Sequence, residues 1–309
     1  MHINDMLLLL RDYVDEPSAD AADWSDEELL RYMNREHSKL FSCIRGMKED
    51  FFGREHVFLT TASVYKYPLP TNFITLRRIE LISGGVTGTA PFFSVNEDTA
   101  SKYEVLEVKL NNKDATIFTN VTGKSYAEEG FYLYGDNVCF AEGTRVGSLY
   151  CRLFFMPEAP TLHRATAQAG GLNTITLGVA GAAQTLGTIR TIHKYYDGML
   201  IEIMSGTGAG QINRVLSYNG STKVATMVEN WTTTPDATSV YSIVSPIVED
   251  YHELIPLGGA IRAKGIKTED DTSDIGAVYS TLLDEMKTSL ESRIEISSRR
   301  VVNSRGLWS

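Results

Sequence analysis

Apolar residues recur at two different spacings along this chain, and the switch between them limits what it can fold into. Leu30, Met33, His37, Leu40, Ile44, Met47 and Phe51 follow one another at steps of three and four. That spacing draws one apolar stripe along a long helix, with Arg31, Arg35, Glu36 and Lys39 on its other faces. Ser25 followed by Glu28 forms a capping box at its start, where hydroxyl and carboxylate take up free N–H groups reciprocally. A shorter helix capped by Asn4 or Asp5 runs to about Asp15 and is broken by Pro17. Near the other end, Ile275, Tyr279, Leu282, Met286 and Leu290 again keep helical spacing in a segment that Ser273 can cap. Before it, 250–264 reads as a short helix interrupted at Pro256 and Gly258-Gly259. Neither helical end buries its stripe alone, so the two are expected to pack against each other.

Between these ends the period is two. Val57, Leu59, Val64, Tyr65 and Tyr67 lead into Pro68-Leu69-Pro70, and 73–82 reads as a further strand. Residues 131–140 and 149–155 read as the arms of a hairpin around 142–147. A hairpin symmetric about Arg145 sets Cys139 opposite Cys151, as two small buried apolar residues rather than a redox pair. Five short β-rich runs then fall within 165–247, at 172–177, 200–204, 211–218, 222–228 and 239–244. Asn219-Gly220 is the strongest hairpin signal among them, with both residues expected at positive φ.

Charge divides the chain in the same places. Residues 1–50 hold 12 acidic and 6 basic side chains, 51–164 hold 12 and 11, 165–247 hold 4 and 4, and 248–309 hold 11 and 8. The net −10 therefore belongs mostly to the helical ends, and the Gly-, Thr- and Ala-rich stretch 165–247 is balanced. The expected fold class is α+β, in three parts. These are a helical domain from 1–50 and 248–309, an antiparallel β domain from 51–164, and an inserted small all-β barrel or sandwich from 165–247.

Several function classes are excluded. Charged residues at 22% with 43% apolar residues argue against disorder. The longest apolar run, 6–10, is far short of the ~20 residues of a membrane helix. Its acidic flanks and missing cleavage site argue against a secretory signal. Three Cys make no disulfide scaffold and fit a reducing cytosol. An acidic chain is also poorly suited to gripping DNA phosphates.

Catalytic signatures are missing as well. The six His, at 2, 37, 56, 163, 193 and 252, form no metal-binding spacing. His37 lies in the apolar stripe and is expected as a hydrogen-bonded core residue. No Gly-x-Ser-x-Gly elbow occurs. Gly206-Thr207-Gly208-Ala209-Gly210 has strand-like flanks and no Walker Lys, so it reads as a β-turn rather than a phosphate loop. No cofactor and no catalytic residue is expected.

Three motifs carry a resemblance. Trp24-Ser25-Asp26 opens the long helix, Tyr67-Pro68-Leu69-Pro70-Thr71-Asn72-Phe73 is followed by Leu76-Arg77-Arg78-Ile79-Glu80-Leu81, and Tyr251-His252-Glu253-Leu254-Ile255-Pro256-Leu257-Gly258 opens the final helices. Together they resemble the head-to-tail adaptor (connector) proteins of tailed phages over 1–164 and 248–309. The stretch 165–247 resembles a small β module of phage virion proteins, through Ser205-Gly206-Thr207-Gly208-Ala209-Gly210-Gln211, Tyr218-Asn219-Gly220, and Trp231 with Pro235-Asp236-Ala237-Thr238. The smaller adaptors lack this insertion.

The resemblance implies a structural virion protein in the neck, forming a homo-oligomeric ring, commonly of twelve copies, between the portal protein and the tail or nozzle protein below. Such a ring completes the DNA channel for genome retention and ejection, with the duplex passing an acidic wall unbound. Asp15, Glu16, Asp20 and Asp23 are then the channel-lining candidates, against the reading that they only solvate helix faces. Arg299, Arg300, Arg305, Leu307 and Trp308 form an arm that orders on the portal, against the reading of a frayed terminus. A different role is a tail-fibre anchor or glycan-binding protein using Tyr195, Tyr196 and Trp231 as exposed stacking residues, against core packing of the same rings. A cell-wall hydrolase is the third class, and no constellation supports it.

Overall fold

The computed structural model describes residues 1–15, 24–47, 51–83, 104–107, 109–110, 130–140, 147, 149–178, 184–266 and 272–292. Among these it is mixed α+β, and the chain divides into two compact units, Phe52–Glu158 and Met1–Phe51 with Ala159–Ser309. The stretch 165–247 thus belongs to the same unit as the helices.

Among the described residues the unit Phe52–Glu158 holds two small sheets. One has the order β1-β8-β3-β4, from Arg54–Leu59, Tyr150–Pro157, Phe73–Ser83 and Glu104–Glu107, all antiparallel. The other has the order β2-β7-β6-β5, from Lys66–Pro68, Asn137–Phe140, Gly130–Tyr134 and Lys109–Leu110, with the short β5 parallel to β6. Ile79, Leu81, Val138, Phe140, Cys151, Leu153 and Phe155 form their core.

The expected hairpin between 131–140 and 149–155 is not formed. β6 and β7 are themselves a hairpin, closed at Gly135-Asp136 with Gly135 at φ 55°, and β8 lies in the other sheet. Cys139 therefore pairs with Lys66 and Tyr132, while Cys151 pairs with Phe58 and Leu81. Both thiols are buried, and desolvation pushes Cys151 up to about 12.

Among the described residues the second unit carries four α-helices, α1 (Ile3–Tyr13), α2 (Asp26–Met47), α3 (Leu254–Lys264) and α4 (Ser273–Ser292). It also carries a seven-stranded antiparallel sheet. In sequence its strands are β9 (Arg164–Thr166), β10 (Ala169–Gly171), β11 (Thr174–Thr176), β12 (Leu200–Ser205), β13 (Ile212–Asn219), β14 (Val224–Met227) and β15 (Val240–Val244). Their spatial order is β10-β11-β14-β13-β12-β15-β9, and among the described residues no closed barrel forms. The two edge strands are consecutive pieces of one segment. Ala167 N–H donates to Ser239 O on one side at 2.8 Å, and Gln168 N–H to Thr176 O on the other at 2.9 Å. The bend between them curls the sheet around Ile175, Ile201, Ile203, Val215, Tyr218, Tyr241 and Ile243.

Two turn expectations are corrected. The β13–β14 hairpin forms, yet neither Asn219 nor Gly220 has positive φ; Lys223 does, at 58°. Asn219 Oδ1 caps the loop instead, accepting Ser221 N–H at 3.0 Å and Thr222 N–H at 3.2 Å. Helix α3 runs unbroken through Pro256 and Gly258-Gly259. Pro256 lies in its first turn, where a missing N–H costs nothing.

Candidate functional site

The helices meet at one buried carboxylate. Glu36 on α2 is 2% exposed. Its Oε1 accepts the Tyr279 hydroxyl of α4 at 2.5 Å and Lys39 Nζ at 3.0 Å, and its Oε2 accepts Arg262 Nε of α3 at 3.3 Å. Lys39 Nζ also donates to the Tyr279 oxygen at 3.1 Å. Burial and the Glu36 charge both push the Tyr279 phenol far above its ordinary range, so it stays a donor. Gly258 and Gly259 make room: a Cβ at Gly259 would lie 2.7 Å from a Leu10 methyl. The expected stripe is present from Leu30 to Ile44 and is wider than expected, including Leu29, Tyr32, Glu36 and Phe41, while Met47 is only partly buried and Phe51 lies outside α2. Residue type sets Glu36 on a polar face, whereas its position one residue before His37, between Met33 and Leu40, is the signal of burial.

Other polar joints tie the helices to the sheet. The Ser25–Glu28 capping box is formed, with Glu28 N–H on Ser25 Oγ at 3.3 Å and Ser25 N–H on Glu28 Oε2 at 3.2 Å. His2, rather than Asn4 or Asp5, caps α1. Asp26 Oδ1 accepts Arg11 Nη2 at 2.6 Å, and its Oδ2 lies 4.0 Å from Arg164 Nη2 of β9. His37 is fully buried with Nε2 3.0 Å from Ser245 Oγ, the packed core histidine that was expected. Desolvation lowers it to about 3. His252 Nε2 donates to Ile247 O at 2.8 Å, and its Nδ1 faces the Met1 ammonium at 3.1 Å.

Within the curled sheet, His163 is enclosed between two phenols. Nδ1 lies 3.3 Å from Tyr196 Oη and Nε2 3.3 Å from Tyr241 Oη. A neutral imidazole has a single acceptor nitrogen, so only one of the two phenols can donate to it. Desolvation holds His163 down to about 4, and burial raises both tyrosines.

The proposed stacking residues are corrected here. Tyr195, Tyr196 and Trp231 are 2%, 0% and 4% exposed and belong to the sheet's core. Tyr195 and Tyr196 meet edge to face at 4.9 Å, and Tyr195 Oη donates to Ala159 O at 3.3 Å. Rings with both faces covered by protein cannot stack on a surface ligand.

The glycine-rich loop is a β-turn, as its flanks implied. Gly206, Gly208 and Gly210 all have φ between 81° and 84° as the chain passes from β12 to β13. It is bolted to the loop before β15. Thr207 Oγ1 donates to Asp236 Oδ2 at 2.8 Å, Ser239 Oγ to Thr207 O at 2.6 Å, and Gln211 Nε2 to Thr233 O at 2.8 Å. Asp236 Oδ1 also accepts the Thr238 hydroxyl at 2.6 Å and the Thr238 N–H at 2.7 Å, and these bonds, with that from Thr207, lower its carboxyl.

Of the channel-lining candidates, Asp15 is exposed and pairs with Lys264 Nζ at 3.2 Å. Glu16, Asp20 and Asp23, and the arm residues Arg299, Arg300, Arg305, Leu307 and Trp308, lie outside the described residues. Among the described residues no group of three His, Cys, Asp or Glu could hold a metal, and no helix is long and apolar enough to cross a membrane. A hydroxyl–imidazole pair that sequence reading missed, Ser221 Oγ and His193 Nε2 at 3.2 Å, is formed on the surface by residues 28 apart. No protein-family model matches the chain, and no curated protein does.

Proposed function

We propose that the chain is a structural head-to-tail adaptor of a tailed-phage virion, forming a ring between portal and tail and taking no part in catalysis. The observation that carries this reading is the junction at Glu36, where α2 from the front of the chain is held to α3 and α4 from its end. That joins the two segments in which the resemblance to adaptors lies. In this reading the terminal helices are the adaptor body, and 165–247 is an inserted module on it.

The charge distribution supports the same role. Twelve acids in the first 50 residues suit a wall past which DNA slides, because an acidic surface repels phosphate. The arm 299–309, with three Arg and no acid, is the portal-docking element. The ring is taken as twelve copies in the virion neck, with the tail or nozzle protein below and no cofactor.

Mixing the full chain with purified portal and imaging the product tests the role. Rings seated on portal, lost on deletion of 299–309, are expected; a chain that stays monomeric and ignores portal contradicts it. Anchoring of a tail fibre by 165–247 is the second reading. It is favoured by Leu172, Ile212, Leu216 and Val228, apolar residues of this stretch that are 53–64% exposed.

A further inference from the structure

We propose that Asn219 and Gly220 form a self-modification site, where the β13–β14 loop converts its own asparagine into aspartate and isoaspartate through a cyclic imide. Asn219 is exposed at the end of β13. Its side-chain carbonyl oxygen accepts two backbone N–H groups, from Ser221 at 3.0 Å and Thr222 at 3.2 Å. Two fixed donors on one carbonyl oxygen make Cγ more electrophilic and stabilise the negative charge that forms on that oxygen when a nucleophile adds. The nucleophile is the backbone nitrogen of Gly220, one bond beyond the Asn219 carbonyl carbon, which closes a five-membered ring with no side chain in the way.

The fold fixes both partners. A Cβ at residue 220 would lie 2.1 Å from Thr191 O, so only glycine fits there. Residue 219 must carry a short side-chain acceptor to hold the loop, which restricts it to Asn or Asp.

The chemistry balances with water as the sole co-reactant. Gly220 N loses its proton to solvent and bonds to Cγ. The Cγ–Nδ2 bond breaks, and Nδ2 leaves as ammonia with that proton restored. Water then opens the ring. Attack at Cγ gives aspartate on an unchanged backbone, and its carboxylate can accept the same two N–H groups. Attack at the backbone carbonyl gives isoaspartate, which adds one carbon to the main chain. That carbon shifts Gly220 from beneath Thr191 and breaks the Asn219–Val224 register. Either product gives the charge-balanced stretch 165–247 a net negative charge.

Peptide mapping by mass spectrometry tests this on the folded full chain, aged in mildly alkaline heavy-oxygen water beside the same chain unfolded in urea. Labelled aspartate and isoaspartate at 219 are expected, ahead of Asn173 and Asn213, with the folded chain converting at least as fast as the unfolded one. Ser221→Pro removes the closer donor and is expected to slow conversion by roughly tenfold or more. An Asn219 that stays intact in the folded chain while the unfolded chain converts overturns the proposal. So does a folded Ser221→Pro variant that converts at the original rate.

Discussion

A Cβ added to Gly258 would sit 2.2 Å from Cγ of Glu36 and 2.4 Å from its carboxyl carbon. The glycine on α3 and the carboxylate on α2 are therefore one device: the missing side chain admits the acid, and the acid holds Arg262 and Tyr279. Gly258→Ala is expected to cost about 1–3 kcal/mol through overpacking. Gly276→Ala on α4, where nothing lies within 4 Å of the added carbon, should be neutral or stabilise by up to about 1 kcal/mol. Urea unfolding of the two variants checks the contrast.

Truncating the acid leaves a buried phenol unanswered. Glu36→Ala is expected to destabilise by about 2–3 kcal/mol, from the unanswered buried phenol and the space left by the side chain, since the exposed Lys39 and Arg262 can return to water. Tyr279→Phe removes one hydrogen bond from a carboxylate that keeps Lys39 and Arg262, and should cost less, about 1.5 kcal/mol. Equal losses for the two would contradict the central position given to Glu36.

Stability should fall on mild acidification. His163 titrates near 6.5 when unfolded and is held to about 4 in the fold. A base lowered by folding contributes stability that is full above its unfolded value. That stability drains as pH falls from 6.5 through about 4, because only the unfolded chain takes the proton. His37, held to about 3, adds in the same direction. Thermal melts between neutral and acid pH should show Tm falling across this window, and His163→Gln should flatten the slope.

The hairpin at Gly220 gives a sharper test of close backbone approach. Gly220→Ala forces a carbon to within 2.1 Å of Thr191 O and is expected to unfold the sheet locally. Hydrogen exchange should rise across β13 and β14, while β1 and β8 in the other unit stay protected. Gly198→Ala, which meets no atom within 4 Å but has φ 76°, should cost about 1 kcal/mol through strain alone.

Local signals were legible where one element suffices. The capping box at Ser25 and Glu28, the helical stripe through Met33 and Leu40, and the strand from Phe73 all follow from spacing. Long-range partners were not legible. Nothing in 131–155 says that β7 and β8 enter different sheets, because both are short apolar runs with the same period. Pro256 and Gly258-Gly259 read as breaks, since propensity cannot anticipate a neighbour that demands a missing Cβ. Tyr195, Tyr196 and Trp231 could be counted as aromatic but not placed, and the curled sheet buries all three. Glu36 was hidden by its own chemistry, because a carboxylate on a helix is exposed far more often than it is buried.

The adaptor role rests most directly on assembly with portal. The decisive measurement is the mass of the species formed when the full chain meets purified portal, read by mass photometry and confirmed in images. A discrete ring of many copies seated on portal, abolished by removing 299–309, is the result expected. A chain that stays monomeric at high concentration and leaves the mass of portal unchanged would contradict it.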